Sequence, residues 1–502
     1  MLAAALALLQ QYFTYVVVFV LTVFFLLRKS AKDGKIHHEK KQGGYGKIPV
    51  FQKKISFGAL LLNPKALVAI VKLKTGVGLP GVKKGKIPAP PDFKVSDDDA
   101  KFIDEDIVFC GTMLDKVSRS FASVIRQLPV TLALPVCIFY LILRALDTVE
   151  DDMDLQKFKA ALASAEGGKR RPAAISDDEA REFKFKCLTH FHTLLEPEES
   201  DFYNDKVIFK TLSDADVGEK DEATLFKKFD SVVRVYNSCA KAQRDIMVDI
   251  TKQMAAGMAD YIGRDLSDKG TEDLADYGQY CHYVAGLVGE GLSRLWTTAS
   301  DSGLPQKTLD QLSSERGLDT LSSDMGLFLQ KTNIIRDYLE DILDQRAFWP
   351  KEVWGQYVKN LGDLKEEEFL AEALACLNHM ICDALEKVPS SLTYLGLLED
   401  GSNQVMRFCA IPQAMAIATL EKLYANPLVF KGVVKIWKPT AARIVVETGS
   451  MAGIKAWFLA CTKELQSKTK AWQKSKYFLP EKSAAVAKRT DELLSQVEAL
   501  CR

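Results

Sequence analysis

Between Val136 and Leu146 the chain reads VCIFYLILRAL, and the next residues are Asp147-Thr-Val-Glu150-Asp151. A helix apolar on nearly every side is a buried helix. Positions i, i+3 and i+4 share one helix face, so these three carboxylates project together. A buried helix that then displays three acids aims them into an internal space. The pattern recurs. Asp337-Tyr-Leu-Glu340-Asp341 is again D-x-x-E-D, between the apolar run Met325–Leu329 and Phe348-Trp349-Pro350, and Asn333 extends its face by one turn. The usual fate of an acidic run is a solvated face, and the apolar surroundings argue against it here. Clustered carboxylates repel and require a cation. Oxygen ligands without Cys or His at the spacing select a hard ion, Mg²⁺, which bridges carboxylates to substrate phosphates.

Arginines accompany both motifs. Arg144 lies one turn before Asp147, Arg336 adjoins Asp337, Arg346 follows Asp341, and Arg119 sits in Ser118-Arg-Ser120-Phe121. Guanidinium forks suit phosphate oxygens not taken by a metal. Phe121, Tyr140, Tyr280, Tyr283 and Phe408 lie in apolar or small-residue segments. Taken singly each reads as a core residue. Beside a diphosphate site they suggest a pocket for an apolar chain, with ring faces that steady a cation.

The 502 residues carry 66 basic and 66 acidic side chains, so the basic footprint of a nucleic-acid binder is missing and no nucleic-acid partner is expected. Ten cysteines without a CxxC speak against a disulfide framework or structural zinc. From about 100 to 465 apolar residues recur at three- and four-residue spacing, which predicts one large all-α domain. Glu166–Asp178 and Pro197–Glu222 read as surface insertions, and residues 466–502 as a polar amphipathic tail. Leu2–Leu27 contains no charge and as a helix would extend about 39 Å, enough to span a bilayer. Residues 1–28 are therefore expected to be a transmembrane anchor. Nine Lys/Arg against two acids between Arg28 and Lys54 place the body on the cytosolic side. Residues 29–99 read as a basic, Pro/Gly-containing tether with a short helix at Asn63–Lys74. Gly76-Val-Gly78-Leu-Pro-Gly81 matches G-x-G-x-x-G, but Pro80 forbids the helix that a dinucleotide fingerprint needs, so it reads as linker.

Five blocks carry a resemblance: SRSFASVIRQLP (118–129), VCIFYLILRALDTVEDDMD (136–154), YCHYVAGLVGEGLSRL (280–295), LQKTNIIRDYLEDILDQRAFWP (329–350) and FCAIPQAMAIATL (408–420). They resemble the squalene synthases of the squalene/phytoene synthase family, over roughly residues 60–440. The resemblance implies a single isoprenoid-synthase helical domain with a central cavity. It implies an enzyme that condenses two farnesyl diphosphates head to head to presqualene diphosphate, then reduces this to squalene with NADPH, with Mg²⁺ as metal. By matching motifs, Asp147, Glu150 and Asp151 hold metal on one side and Asn333, Asp337 and Asp341 on the other. Arg119, Ser120, Phe121, Tyr140, Arg144, Arg336 and Arg346 contact substrate. Arg119, Arg144, Arg336, Lys435 and Lys438 reach the cofactor. Tyr280 resembles the family's proton-transfer tyrosine and Phe408 the lining of the second-step pocket.

Two departures stand out. In Lys431-Gly-Val-Val-Lys435-Ile-Trp437-Lys438 the family shows a second basic residue where this chain has Trp437, so one cofactor contact is expected to be lost unless Lys438 replaces it. The family's usual anchor is C-terminal, whereas here it is expected at the N-terminus, in the endoplasmic reticulum membrane, on a monomer. The alternatives are a synthase that stops at presqualene diphosphate or makes another C30 or phytoene-type product, and, remotely, a silent membrane scaffold.

Overall fold

The computed structural model describes the chain from residue 41 to 502, apart from 43–45, 76–86, 91–92, 94–100, 119–120, 197–206, 263, 265, 267–268, 300, 400 and 402. The expected anchor, the Gly76–Gly81 motif, Arg119 and Ser120 lie outside the described residues.

Among the described residues the architecture is helical almost throughout, as the spacing predicts. The helix carrying the first acidic motif spans Val130–Asp151 (α4) and follows a short turn of helix at Phe121–Ile125 (α3) and the longer Ile103–Val117 (α2). Sixteen of the residues of α4 are buried, from Leu132 to Glu150. Among the described residues it is the one helix long and apolar enough to cross a membrane, yet it is the core of the body. Pro135 sits inside it and has no N–H for the Thr131 carbonyl; the Gln243 side-chain amide donates to that oxygen instead, at 3.4 Å.

Against α4 pack Lys241–Ile262 (α5) and Leu287–Thr297 (α7); Ser323–Arg336 (α8) packs on α7, and Leu274–Cys281 (α6) on α8. A π-helical turn, His282–Gly286, joins α6 to α7. Here α7 and α8 meet backbone to backbone. A Cβ on Gly326 would stand 2.0 Å from the Ala285 carbonyl oxygen, and one on Gly289 would stand 2.1 Å from that of Ser322. Only glycine allows this approach, and both glycines lie on the wall of the central cavity.

The second motif does not lie on one continuous helix. α8 ends at Arg336 and a short helix resumes at Tyr338–Leu343 (α9), with Asp337 at the junction. The Asp337 N–H still donates to the Asn333 carbonyl at 2.9 Å, and the Asp341 N–H to that of Asp337 at 3.0 Å, so the acidic face survives the break.

The segments flanking residues 100–465 are more integrated, where described, than the sequence suggests. Helices Leu370–Leu385 (α10) and Asn403–Leu423 (α11) complete the bundle. After Lys438–Glu447 (α12), Met451–Gln473 (α13) and Pro480–Cys501 (α14) form a hairpin that packs on α10 and α11. The expected boundary at 465 falls inside α13, and Trp472, Leu493, Leu494 and Val497 of the expected tail are buried. At the other end, Pro64–Thr75 (α1) lies against α12. Two minimal strand pairs interrupt the helices: Lys41–Gln42 (β1) with Gly46–Lys47 (β2), antiparallel, and Val50–Phe51 (β3) with Val433–Val434 (β4), parallel. Part of the expected tether is thus docked on the body.

Candidate active site

A cavity of about 270 Å³ runs along α4 from Val136 to Asp147. Its lining includes Asp147 and Arg144 of the first motif region, Asn333 of the second, and the rings of Phe121, Tyr140 and Phe408. A second cavity of about 530 Å³ adjoins it. Phe121, Leu329, Asn333 and Pro412 line both, and Arg336 and Lys438 stand on the wall of the second. The rings are fixed by one another. Phe408 meets Trp296 edge-on at 5.5 Å, and Phe121 lies 6.2 Å from Tyr140. Tyr283 sits against Gly257, where a Cβ would come within 2.1 Å of the ring.

The carboxylates and arginines interlock. Arg346 donates to both oxygens of Glu150 at 2.7 Å and also to Asp151, tying the segment after the second motif to the first. Arg144 lies 3.7 Å from Asp147 and 3.9 Å from Glu222, and donates to the Tyr140 hydroxyl at 3.4 Å. Arg336 chelates its neighbour Asp337 at 2.9 and 2.6 Å. Among the described residues no group of three acids, histidines or cysteines converges as a ready cation site. Glu150 and Asp151 share the Arg346 guanidinium, while Asp147 faces Arg144 and Asp337 takes Arg336, because buried carboxylates take the nearest positive charge.

Asp147 lies above the ordinary carboxylate range. Burial, opposed by Arg144 and reinforced by Asp151, Glu150 and Glu222, pushes its carboxyl up to about 7. Burial also raises Glu150 against the pull of Arg346, whereas Arg346 overcomes burial at Asp151 and holds that group low. A cavity-lining carboxylate that its surroundings hold partly protonated, with the Asn333 amide on the same wall, is a donor set that fits a hard divalent cation.

Tyr280 stacks on Phe348 with ring centres 4.3 Å apart and meets Tyr261 edge-on at 5.0 Å. Arg346 stands 5.6 Å over the same Phe348 ring. The arginine lowers the Tyr280 pKa, but burial and then Glu150 outweigh it, and the phenol lies well above its ordinary value.

Three contributors escaped sequence reasoning. Lys184 is buried and donates to the carbonyls of Glu150 at 2.7 Å and Asp152 at 2.9 Å, capping α4 where its acids emerge. Its sequence signal is position: with Ala180, Cys187 and Leu188 it falls on the apolar face of Asp177–Thr189. Glu222 and Gly218, from the expected surface insertion, close on the same end. The Gly218 N–H donates to Asp152 at 2.8 Å.

Residues 114–440 match the squalene/phytoene synthase family. The chain is 41% identical to squalene synthase LSS of Botryococcus braunii over 381 residues, covering 75% of this chain and 71% of that protein. It is 39% identical to the squalene synthase of Nicotiana benthamiana over 416 residues, 82% of this chain and 84% of the other. The solved complex of TcSQS with the ligand BPH1237 superposes with a TM-score of 0.61 at 36% identity, over 78% of this chain and 99% of that one. The fold is that of an all-helical isoprenoid synthase, a transferase. The chain belongs to the squalene/phytoene synthase family, and within it the similarity runs to the squalene synthases.

Proposed function

We propose that the enzyme joins two farnesyl diphosphates to presqualene diphosphate and reduces this to squalene. The carrying observation is that Asp147 of the first motif and Asn333 of the second line one apolar cavity. Diphosphates and prenyl chains are thereby offered adjacent surroundings, and the adjoining cavity provides room for a second chain. Asp147, Glu150 and Asp151 on one side and Asn333, Asp337 and Asp341 on the other would hold Mg²⁺, and Lys435 and Lys438 would hold NADPH; when bound, these groups would supply positive charge for the leaving diphosphates and a hydride for the reductive step.

The protein's own groups do the rest. Arg144, Arg336 and Arg346 exchange carboxylate partners for phosphate oxygens when substrate and metal arrive. Arg119 and Ser120 join them by motif. Tyr140 and Phe121 flank the first chain, and Phe408 keeps the second-step pocket dry, since water would quench the cation. Tyr280, stacked on Phe348, remains a neutral phenol at neutral pH. The proton lost in cyclopropane closure then passes to the released diphosphate rather than to a phenolate. The body faces the cytosol, anchored in the endoplasmic reticulum membrane by residues 1–28.

Product analysis with farnesyl diphosphate and Mg²⁺ tests this: presqualene diphosphate without NADPH, squalene with it. Absence of squalene at saturating NADPH would favour the presqualene-only reading. Asp147→Asn and Asp337→Asn should each stop farnesyl diphosphate consumption in a folded protein.

A further inference from the structure

Trp437 has a neighbour that the linear sequence conceals. The ammonium of Lys53 lies 5.0 Å from the centre of its ring. The contact is built in by the β3–β4 pair. The Val433 N–H donates to the Pro49 carbonyl and the Lys435 N–H to the Phe51 carbonyl, each at 2.9 Å. The Gln52 amide donates to the Ile436 carbonyl at 2.7 Å. Gly432 permits the approach, because a Cβ there would stand 2.2 Å from the Pro49 oxygen. The segment ends at Trp437, and Lys438 follows on the wall of the larger cavity.

The indole N–H of Trp437 is itself buried with no acceptor among the described residues. A buried donor without a partner calls for an acceptor supplied from outside the chain. Here it stands beside an ammonium group held over the same ring, with Lys435 and Lys438 in the same segment. A donor flanked by positive charge complements an oxyanion.

We infer that Lys53 binds the 2′-phosphate of NADPH, so that the N-terminal strand restores in space the charge that Trp437 removes from the sequence motif. This rests on the reading of Lys435 and Lys438 as the cofactor end. The tryptophan is then a platform: its face holds the lysine and its N–H offers one further hydrogen bond. A basic residue at 437 adds little in this setting.

Calorimetric titration of the full-length chain in detergent with NADPH and with NADH, which lacks the 2′-phosphate, tests the inference. Lys53→Met should weaken NADPH binding about tenfold, the loss of one charge-assisted contact, and leave NADH binding unchanged. Lys53→Arg should bind NADPH like the native chain, and Trp437→Arg should recover affinity in the Lys53→Met background. If Lys53→Met binds NADPH normally while Lys435→Met is weakened, the inference fails and the cofactor end stands. If neither variant is weakened, both fail. Equal losses for NADPH and NADH would show that Lys53 only holds the strand, which also overturns it.

Discussion

Replacing Arg346 by methionine tests whether the two acidic motifs act as one electrostatic unit. The guanidinium is 16% exposed and the Glu150 side chain 9%, so the bidentate pair is shielded from solvent. Removing one partner of a buried pair costs about 3–5 kcal/mol, because the other charge is stranded. Lys184 still acts on Glu150 and lowers its pKa, and Asp151 is exposed enough for water to take over, so the lower end, about 3 kcal/mol, applies. At roughly 2 cal/mol/K of unfolding entropy per residue, that is a fall in Tm of about 3 °C for a domain of this size. Scanning calorimetry with and without Mg²⁺ reads it. Mg²⁺ should raise the Tm of Arg346→Met more than that of the native chain, since the cation replaces the missing charge. Adding Glu150→Gln should recover most of the lost stability by removing the stranded partner. A variant as stable as the native protein, with the same response to Mg²⁺, would refute the reasoning.

Three further outcomes are expected. Burial, and then Asp319, push Glu290 up to about 7 from 4.5, so the folded state holds an extra proton between those values; stability from this group is present at low pH and lost as pH rises through that window, and Glu290→Gln should flatten this part of a denaturation-versus-pH curve. Gly326→Ala forces a methyl group against the Ala285 carbonyl and should cost about 1–3 kcal/mol in denaturant titration, with reduced turnover because the same wall lines the cavity. Lys184→Met leaves the Glu150 and Asp152 carbonyls without their donor; a loss of about 1–3 kcal/mol and a raised Mg²⁺ requirement for farnesyl diphosphate consumption should follow.

What the sequence disclosed was whatever repeats with helical period. The apolar run before Asp147 announced a buried helix, and the spacing of its acids announced a shared face. The helix break at Asp337 left no such trace, because the i to i+4 hydrogen bonds continue across it. Arg346 is expected from the sequence to contact phosphate, but its partners Glu150 and Asp151 lie 196 and 195 residues away, and pairing across that distance has no period. The tail beyond 465 was misread for a related reason. Its exposed face is rich in lysine and glutamate, while the narrow stripe of Leu493, Leu494 and Val497 that docks it is easily outweighed in a window average. Strands of two residues are too short for alternation to register at all.

The β3–β4 pair also sets an order of birth. Gln52 and Ile436, which it brings together, are 384 residues apart. A ribosome adding about 5–20 residues per second needs roughly 20–80 s to make that stretch. During this time α4 and its acids can already fold, while Val50 and Phe51 wait for a partner that does not yet exist. A strand only two residues long offers little edge for wrong pairing in the interval. The fold thus reaches back on itself: the β3–β4 pair closes only after both acidic motifs have been made, and a chain that stops before Val433 would possess both motifs and lack the pair.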